Sequence, residues 1–149
     1  MKILLVSSSG GHFQAIRKLE SFWGKHECCW VTFKTTSSEK VLEQSGTKVY
    51  WAYSPTNRNI PNLIRNLGLA WQVINKESPD LVLSTGAGVA VPFILLAKLK
   101  GIKTAFIESF TRVKELSLSA RLVLPFIDAL YVQWEQLKVK YPQAKLIRL

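Results

Sequence analysis

The feature that most limits what this chain can fold into is an alternation. Six short runs rich in apolar residues, Lys2–Ser7, Cys28–Phe33, Lys48–Ala52, Leu81–Ser84, Thr104–Ile107 and Ala129–Gln133, alternate with stretches of helical spacing near 11–24, 37–45, 60–77, 88–100 and 114–124. A strand with one wet face would carry a polar residue at every second position, and Ile3-Leu4-Leu5-Val6 carries none. Both faces of that strand must therefore be covered. The pattern predicts an α/β fold: a Rossmann-like parallel sheet with helices on both faces. A chain of 149 residues, 48% hydrophobic and 20% charged, suits one such domain over 1–149. No repeat, linker or low-complexity tract divides it.

Charge and cysteine content narrow the function classes. The net charge is +10, and residues 1–75 and 76–149 each carry an equal share of it, so no basic tail is responsible. Attraction to an anionic surface, a phosphorylated substrate or nucleic acid follows. Nucleic acid is the weakest of the three, because basic residues are neither clustered nor interleaved with aromatics and no recognition motif occurs. The two cysteines, Cys28 and Cys29, are adjacent. In a strand they point to opposite faces, which suits neither a disulfide nor a metal site and implies a reducing, cytoplasmic setting. The apolar run at the N-terminus is too short for a signal peptide. Leu81–Ala97 is uncharged, but Thr85-Gly86-Ala87-Gly88 and Pro92 divide it into strand, turn and helix rather than a membrane span.

Open parallel sheets bind ligands at the carboxyl ends of their strands. That rule nominates four loops, 7–12, 53–61, 84–88 and 108–113. The first, Ser8-Ser9-Gly10-Gly11-His12, lacks the Gly-Lys-Ser/Thr of a phosphate-binding P-loop and the three-glycine dinucleotide fingerprint. Its two glycines let a ligand approach the backbone, with N–H groups at a helix start facing an anion. A positive helix end also favours a neutral imidazole at His12, which could then serve as a general base. The plainer reading, a tight turn with His12 packing or capping, stands beside it. Gly86 and Gly88 admit either a ligand or a closely packed helix. Glu108, at the end of a strand, could hydrogen-bond sugar hydroxyls, act as a base or cap the following helix. Ser109 lies in the same loop, and Arg112, Lys114 and Arg121 could meet phosphate or solvent.

Taken together, the Ser-Ser-Gly-Gly-His strand end, the Ser84–Gly88 turn and "FIESFTRVKELSLSARLVLPFIDALYVQWEQL" (106–137) resemble the acceptor-side subunit of split glycosyltransferases. That family includes the membrane-associated subunit of the enzyme adding the second N-acetylglucosamine in N-glycan assembly, and bacterial capsule and exopolysaccharide proteins. A weaker similarity extends to the N-terminal half of the peptidoglycan transferase that makes lipid II. The resemblance implies the N-terminal half of a GT-B glycosyltransferase. The donor-binding half would be a separate polypeptide, which would bring the nucleotide sugar; the acceptor would be a lipid-diphosphate-linked saccharide. It further implies catalytic roles for His12 and Glu108, and acceptor or phosphate contacts from Ser9, Gly10, Gly11, Gly86, Gly88, Ser109 and Arg112. No metal or other cofactor is implied. Eukaryotic members carry an N-terminal membrane helix and this sequence begins at its first strand, so the expected attachment is peripheral or through partners, at the cytoplasmic face of an anionic membrane. The rival expectation is a non-catalytic scaffold that recruits a self-sufficient partner transferase to that membrane.

Overall fold

A computed structural model describes residues 1–149. Seven parallel strands form one sheet: β1 (Lys2–Ser7), β2 (Glu27–Phe33), β3 (Lys48–Ala52), β4 (Leu81–Gly86), β5 (Lys103–Ile107), β6 (Ala129–Val132) and β7 (Lys145–Leu146), in the order β3-β2-β1-β4-β5-β6-β7. The Rossmann-like expectation is met. Strand β1 sits in the middle, with Ile3, Leu4, Leu5 and Val6 fully buried. Alternate side chains feed two cores: Leu4 and Val6 join the one under the long helices, Ile3 and Leu5 the one on the opposite face. That explains why the run lacks polar positions.

The first face is covered by α4 (Ile60–Glu77), α5 (Ala90–Leu99) and α6 (Leu118–Val123), the last extended by a 3₁₀ turn over Leu124–Phe126. The second is covered by α1 (Gly11–Arg17), α2 (Glu20–Trp23) and α3 (Thr36–Ser45). A short α7 (Glu135–Lys140) precedes β7. Helix α4 begins and ends where the sequence places it, set by the Asn59 side chain accepting from the Asn62 N–H at 3.0 Å and by Ser78 in the left-handed region.

Three stretches differ from expectation. The predicted helix 11–24 breaks at Lys18–Leu19, because the Trp23 indole N–H takes the Ile16 carbonyl at 2.8 Å and folds its ring edge-on to Trp30 at 5.7 Å. The predicted helix 114–124 starts only at Leu118, since 108–117 is a loop anchored by side chains. Helix α7 and strand β7 have too few residues for a readable period, and α7 buries only Leu137. The thiols of Cys28 and Cys29 are both free, and burial pushes the Cys29 thiol up to about 12, leaving it unreactive.

Candidate functional site

Strand order reverses direction between β1 and β4, and the carboxyl ends of these two strands form the crevice where such sheets place ligands. Ser7 pairs with Gly86 after a shift in register, and the Ser8 N–H donates to the Gly86 carbonyl at 3.2 Å. The loop after β1 and the turn after β4 are therefore one unit. His12 joins them. Its Nδ1 lies 2.7 Å from the Thr85 carbonyl, and the Thr85 hydroxyl donates to the His12 carbonyl at 2.6 Å.

This reciprocal clamp determines the imidazole's chemistry. A carbonyl only accepts, so Nδ1 carries the hydrogen and, in the neutral ring, Nε2 holds the free lone pair. Nε2 has no partner within the chain and is not sealed from solvent. The ring also needs Gly86 to be glycine. A Cβ there would stand 3.1 Å from His12 Cε1 and 3.2 Å from Nδ1, and the Gly86 φ of +110 is itself in the region that favours glycine.

Gly10 and Gly11 are exposed, and nothing lies within 4 Å of where a side chain would project from either. Gly10 turns the chain at a φ of +79 into α1. Helix geometry leaves the N–H groups of Gly11, His12 and Phe13 without intrahelical partners. Because α1 has only seven residues, any pull on an anion here comes from those individual groups more than from a macrodipole. Ser9 is half-buried beside them.

The remaining nominees divide. Gly88 lies against the 53–59 loop: a Cβ there would meet Thr56 Oγ1 at 3.2 Å, so the glycine allows that loop to approach the β4 turn. Of the three roles open to Glu108, the geometry matches the capping one. It is buried, with Oε1 accepting from the Ser109 N–H at 2.8 Å and Oε2 from the Ser117 N–H at 2.7 Å, and Ser117 is the N-cap of α6. The carboxylate spans the 109–117 loop like a staple. Ser109 bonds Thr111 Oγ1 at 2.9 Å, and Arg112 is exposed on that loop.

Sequence reasoning missed the side chains that hold these loops. Gln133 donates to the Glu108 carbonyl at 3.1 Å, and the Trp134 indole donates to the Phe110 carbonyl at 2.6 Å with the rings 5.0 Å apart. These two residues belong to the same quoted segment as Glu108, which was the available signal. On α4, Asn66 is buried and pairs both the N–H and the carbonyl of Tyr53, while Asn62 donates to the Pro55 carbonyl. Two asparagines one turn apart on the buried face of a helix were the clue. A cavity of about 460 Å³ lies beside Phe110 and Trp134. Another, about 660 Å³, is at the opposite end of the sheet among Trp23, His26 and Lys48, remote from His12.

The fold defines a class: a Rossmann-like domain equivalent to one half of a GT-B enzyme. MurG of Acinetobacter baumannii superposes with a TM-score of 0.68 at 16% identity over 88% of this chain and 40% of its own. The UDP-GlcNAc 2-epimerase of Neisseria meningitidis, solved with UDP-GlcNAc, superposes at 0.73 and 17% identity over 98% of this chain and 45% of its own. Within that class the chain belongs to the family described as "Oligosaccharide biosynthesis protein Alg14 like", which matches residues 54–149. The human UDP-N-acetylglucosamine transferase subunit ALG14 is 28% identical across 97% of this chain and 80% of its own length. The Schizosaccharomyces pombe subunit alg14 is 43% identical over 74 residues, 46% of this chain but only 35% of that protein.

Proposed function

We propose that this chain is the acceptor-side subunit of a two-component glycosyltransferase. With a donor-binding partner subunit it moves a hexose or N-acetylhexosamine from a nucleotide sugar to a lipid-diphosphate-linked saccharide. The observation that carries this reading is the clamped His12: an imidazole with Nδ1–H fixed on the Thr85 carbonyl and Nε2 free beside the open Gly10–Gly11 backbone. The printed names of the relatives, transferase subunits for UDP-N-acetylglucosamine, support it.

In the proposed reaction the acceptor hydroxyl gives its proton to His12 Nε2 while its oxygen bonds to the anomeric carbon of the donor sugar. The bond from that carbon to the nucleoside diphosphate breaks, and the diphosphate departs with the electron pair on the partner's side. Backbone N–H groups of Gly11 and His12, with Ser9 beside them, meet the acceptor's diphosphate, and Arg112 adds a cation on the same edge of the sheet. In this reading Glu108 is a positioning residue, through the backbone N–H groups of Ser109 and Ser117 that its carboxylate accepts. It holds the 109–117 loop, and with it Ser109 and Arg112, at the rim.

Reconstitution tests the division of labour. The donor-binding partner is assayed with a polyprenyl-diphosphate saccharide and nucleotide sugar, with and without this chain. Transfer that requires both polypeptides supports the proposal. A partner that transfers at full rate in solution on its own would make this chain a recruiting scaffold instead.

A further inference from the structure

The loop between β3 and α4 shares the β4 turn with His12. A Cβ on Gly86 would press on the His12 ring, and one on Gly88, two residues further, would press on Thr56. The loop leads into α4 on one face of the sheet and His12 opens α1 on the other, so the two flank the turn. Side chains of α4 fix the loop's backbone. Buried Asn66 bonds the N–H and the carbonyl of Tyr53 at 2.9 and 3.0 Å, and Asn62 donates to the Pro55 carbonyl at 2.8 Å.

Within that frame Arg58 is held at a φ of +50. The other non-glycine residue with a positive φ is Ser78, where a left-handed turn ends α4. Glycine or asparagine meets such a backbone with little strain, and a long side chain does not. Strain of this kind persists only where the surroundings enforce it, and it gathers at positions whose side chains are used.

The charges around Arg58 indicate its use. Neighbouring Arg65 is engaged by Asn62 Oδ1 at 2.8 Å. Arg58 is exposed, and the ion pairs of the chain are made by Lys2, Lys34, Lys48, Lys98 and Lys140, never by an arginine. No acidic residue occurs between Glu43 and Glu77, nor in the crevice loops 7–12 and 84–88. Glu108, in the fourth loop, has each oxygen on a backbone N–H. A guanidinium without a carboxylate, on a fixed backbone at the ligand-binding edge, offers a fork of donors to a phosphate.

We propose that Arg58 binds the acceptor's diphosphate, across the β4 turn from the Gly10–Gly11 backbone. This rests on the proposed function and deepens it by naming a residue that selects for two phosphates. A diphosphate supplies one group for the backbone N–H donors and a second for the guanidinium, where a monophosphate supplies one.

The test is calorimetric titration of the full chain with N-acetylglucosaminyl geranyl diphosphate, its monophosphate counterpart and UDP. The parent is expected to bind the diphosphate lipid more tightly than the monophosphate. Arg58→Gly should lose about tenfold on the diphosphate and little on the monophosphate, and Arg58→Lys, which keeps the charge without the fork, a few-fold. Glycine suits the backbone at this position, so Arg58→Gly should melt no lower than the parent. An arginine with a purely structural role would give the opposite pairing, lower stability with unchanged affinity. In the reconstituted transferase, Arg58→Gly should raise the acceptor KM about tenfold and leave kcat near parental. Equal diphosphate affinity in parent and Arg58→Gly would overturn the assignment of Arg58 and leave the proposed function standing. Affinity lost for UDP in place of the prenyl probe would overturn it too, by placing the guanidinium at the donor. A parent chain that binds neither lipid probe would overturn the acceptor-side reading along with it.

Discussion

At His12 one hydrogen bond decides what a side chain can do. Imidazole has two nitrogens, and the Thr85 carbonyl 2.7 Å from Nδ1 makes them unequal. The expected consequence is visible without any enzymatic assay. Nitrogen-15 NMR of the chain at neutral pH should show the Nδ1–H tautomer at His12, with His26 assigned separately through a His26→Gln variant. Substituting Gly86 by Ala forces a methyl against the ring at about its Cε1 edge and should mix the tautomers. An Nε2–H tautomer in the unaltered protein would contradict the clamp. His12 and Gly86 were each legible in the sequence as crevice residues. Their contact was not, because 73 positions separate His12 from Thr85 and only strand order brings them together.

Among the elements, legibility followed length and regularity. The strand β1 and the helix α4 were read to the residue, because a fully apolar run and an 18-residue amphipathic period leave little freedom. The start of the predicted helix 114–124 falls in the 108–117 loop, whose course is set by the side-chain anchors of Glu108 on Ser109 and Ser117 and not by local spacing. That loop depends on Glu108. Replacing it with Ala strands the N–H groups of Ser109 and Ser117 and should cost about 3 kcal/mol in denaturant unfolding, and Gln, which keeps one acceptor oxygen, about half of that. Equal stability of both variants and the parent would mean that the staple carries nothing. The lesson for Glu108 is geometric: a carboxylate at a strand end reads as a crevice group, and strand order alone does not reveal that each of its oxygens accepts from the backbone of its own loop.

Over the whole molecule, the two edges of the sheet have opposite tasks. The carboxyl edge holds the open glycine loop and His12. The amino edge is tied by Glu77, which is buried between Lys2 Nζ at 2.7 Å and Lys48 Nζ at 2.6 Å and accepts from the Tyr50 hydroxyl. Lys2 first, then Lys48 and Tyr50, hold its carboxyl down at about 2 against a usual 4.5. A depressed carboxyl stabilises the fold fully above its unfolded-state value and loses that contribution as pH falls from about 4.5 towards 2. The contribution is on the order of 2 kcal/mol, reduced because Lys48 is half exposed and screened. Urea unfolding at pH 7 and pH 3 should therefore show a smaller difference in Glu77→Gln than in the parent; identical differences would remove Glu77 from the account. The free guanidinium of Arg58 at the carboxyl edge is the part composition announced only as a surplus, since a count of lysines and arginines does not say which of them lack a carboxylate.

The central claim is that this chain contributes the base for sugar transfer from the crevice between β1 and β4. Single-turnover transfer by the reconstituted pair, with a polyprenyl-diphosphate acceptor and the parent chain or its folded His12→Ala variant, measures it directly. The account predicts that the variant loses about a hundredfold or more in the transfer step while acceptor binding persists. Transfer at the parental rate by a folded His12→Ala chain would contradict it.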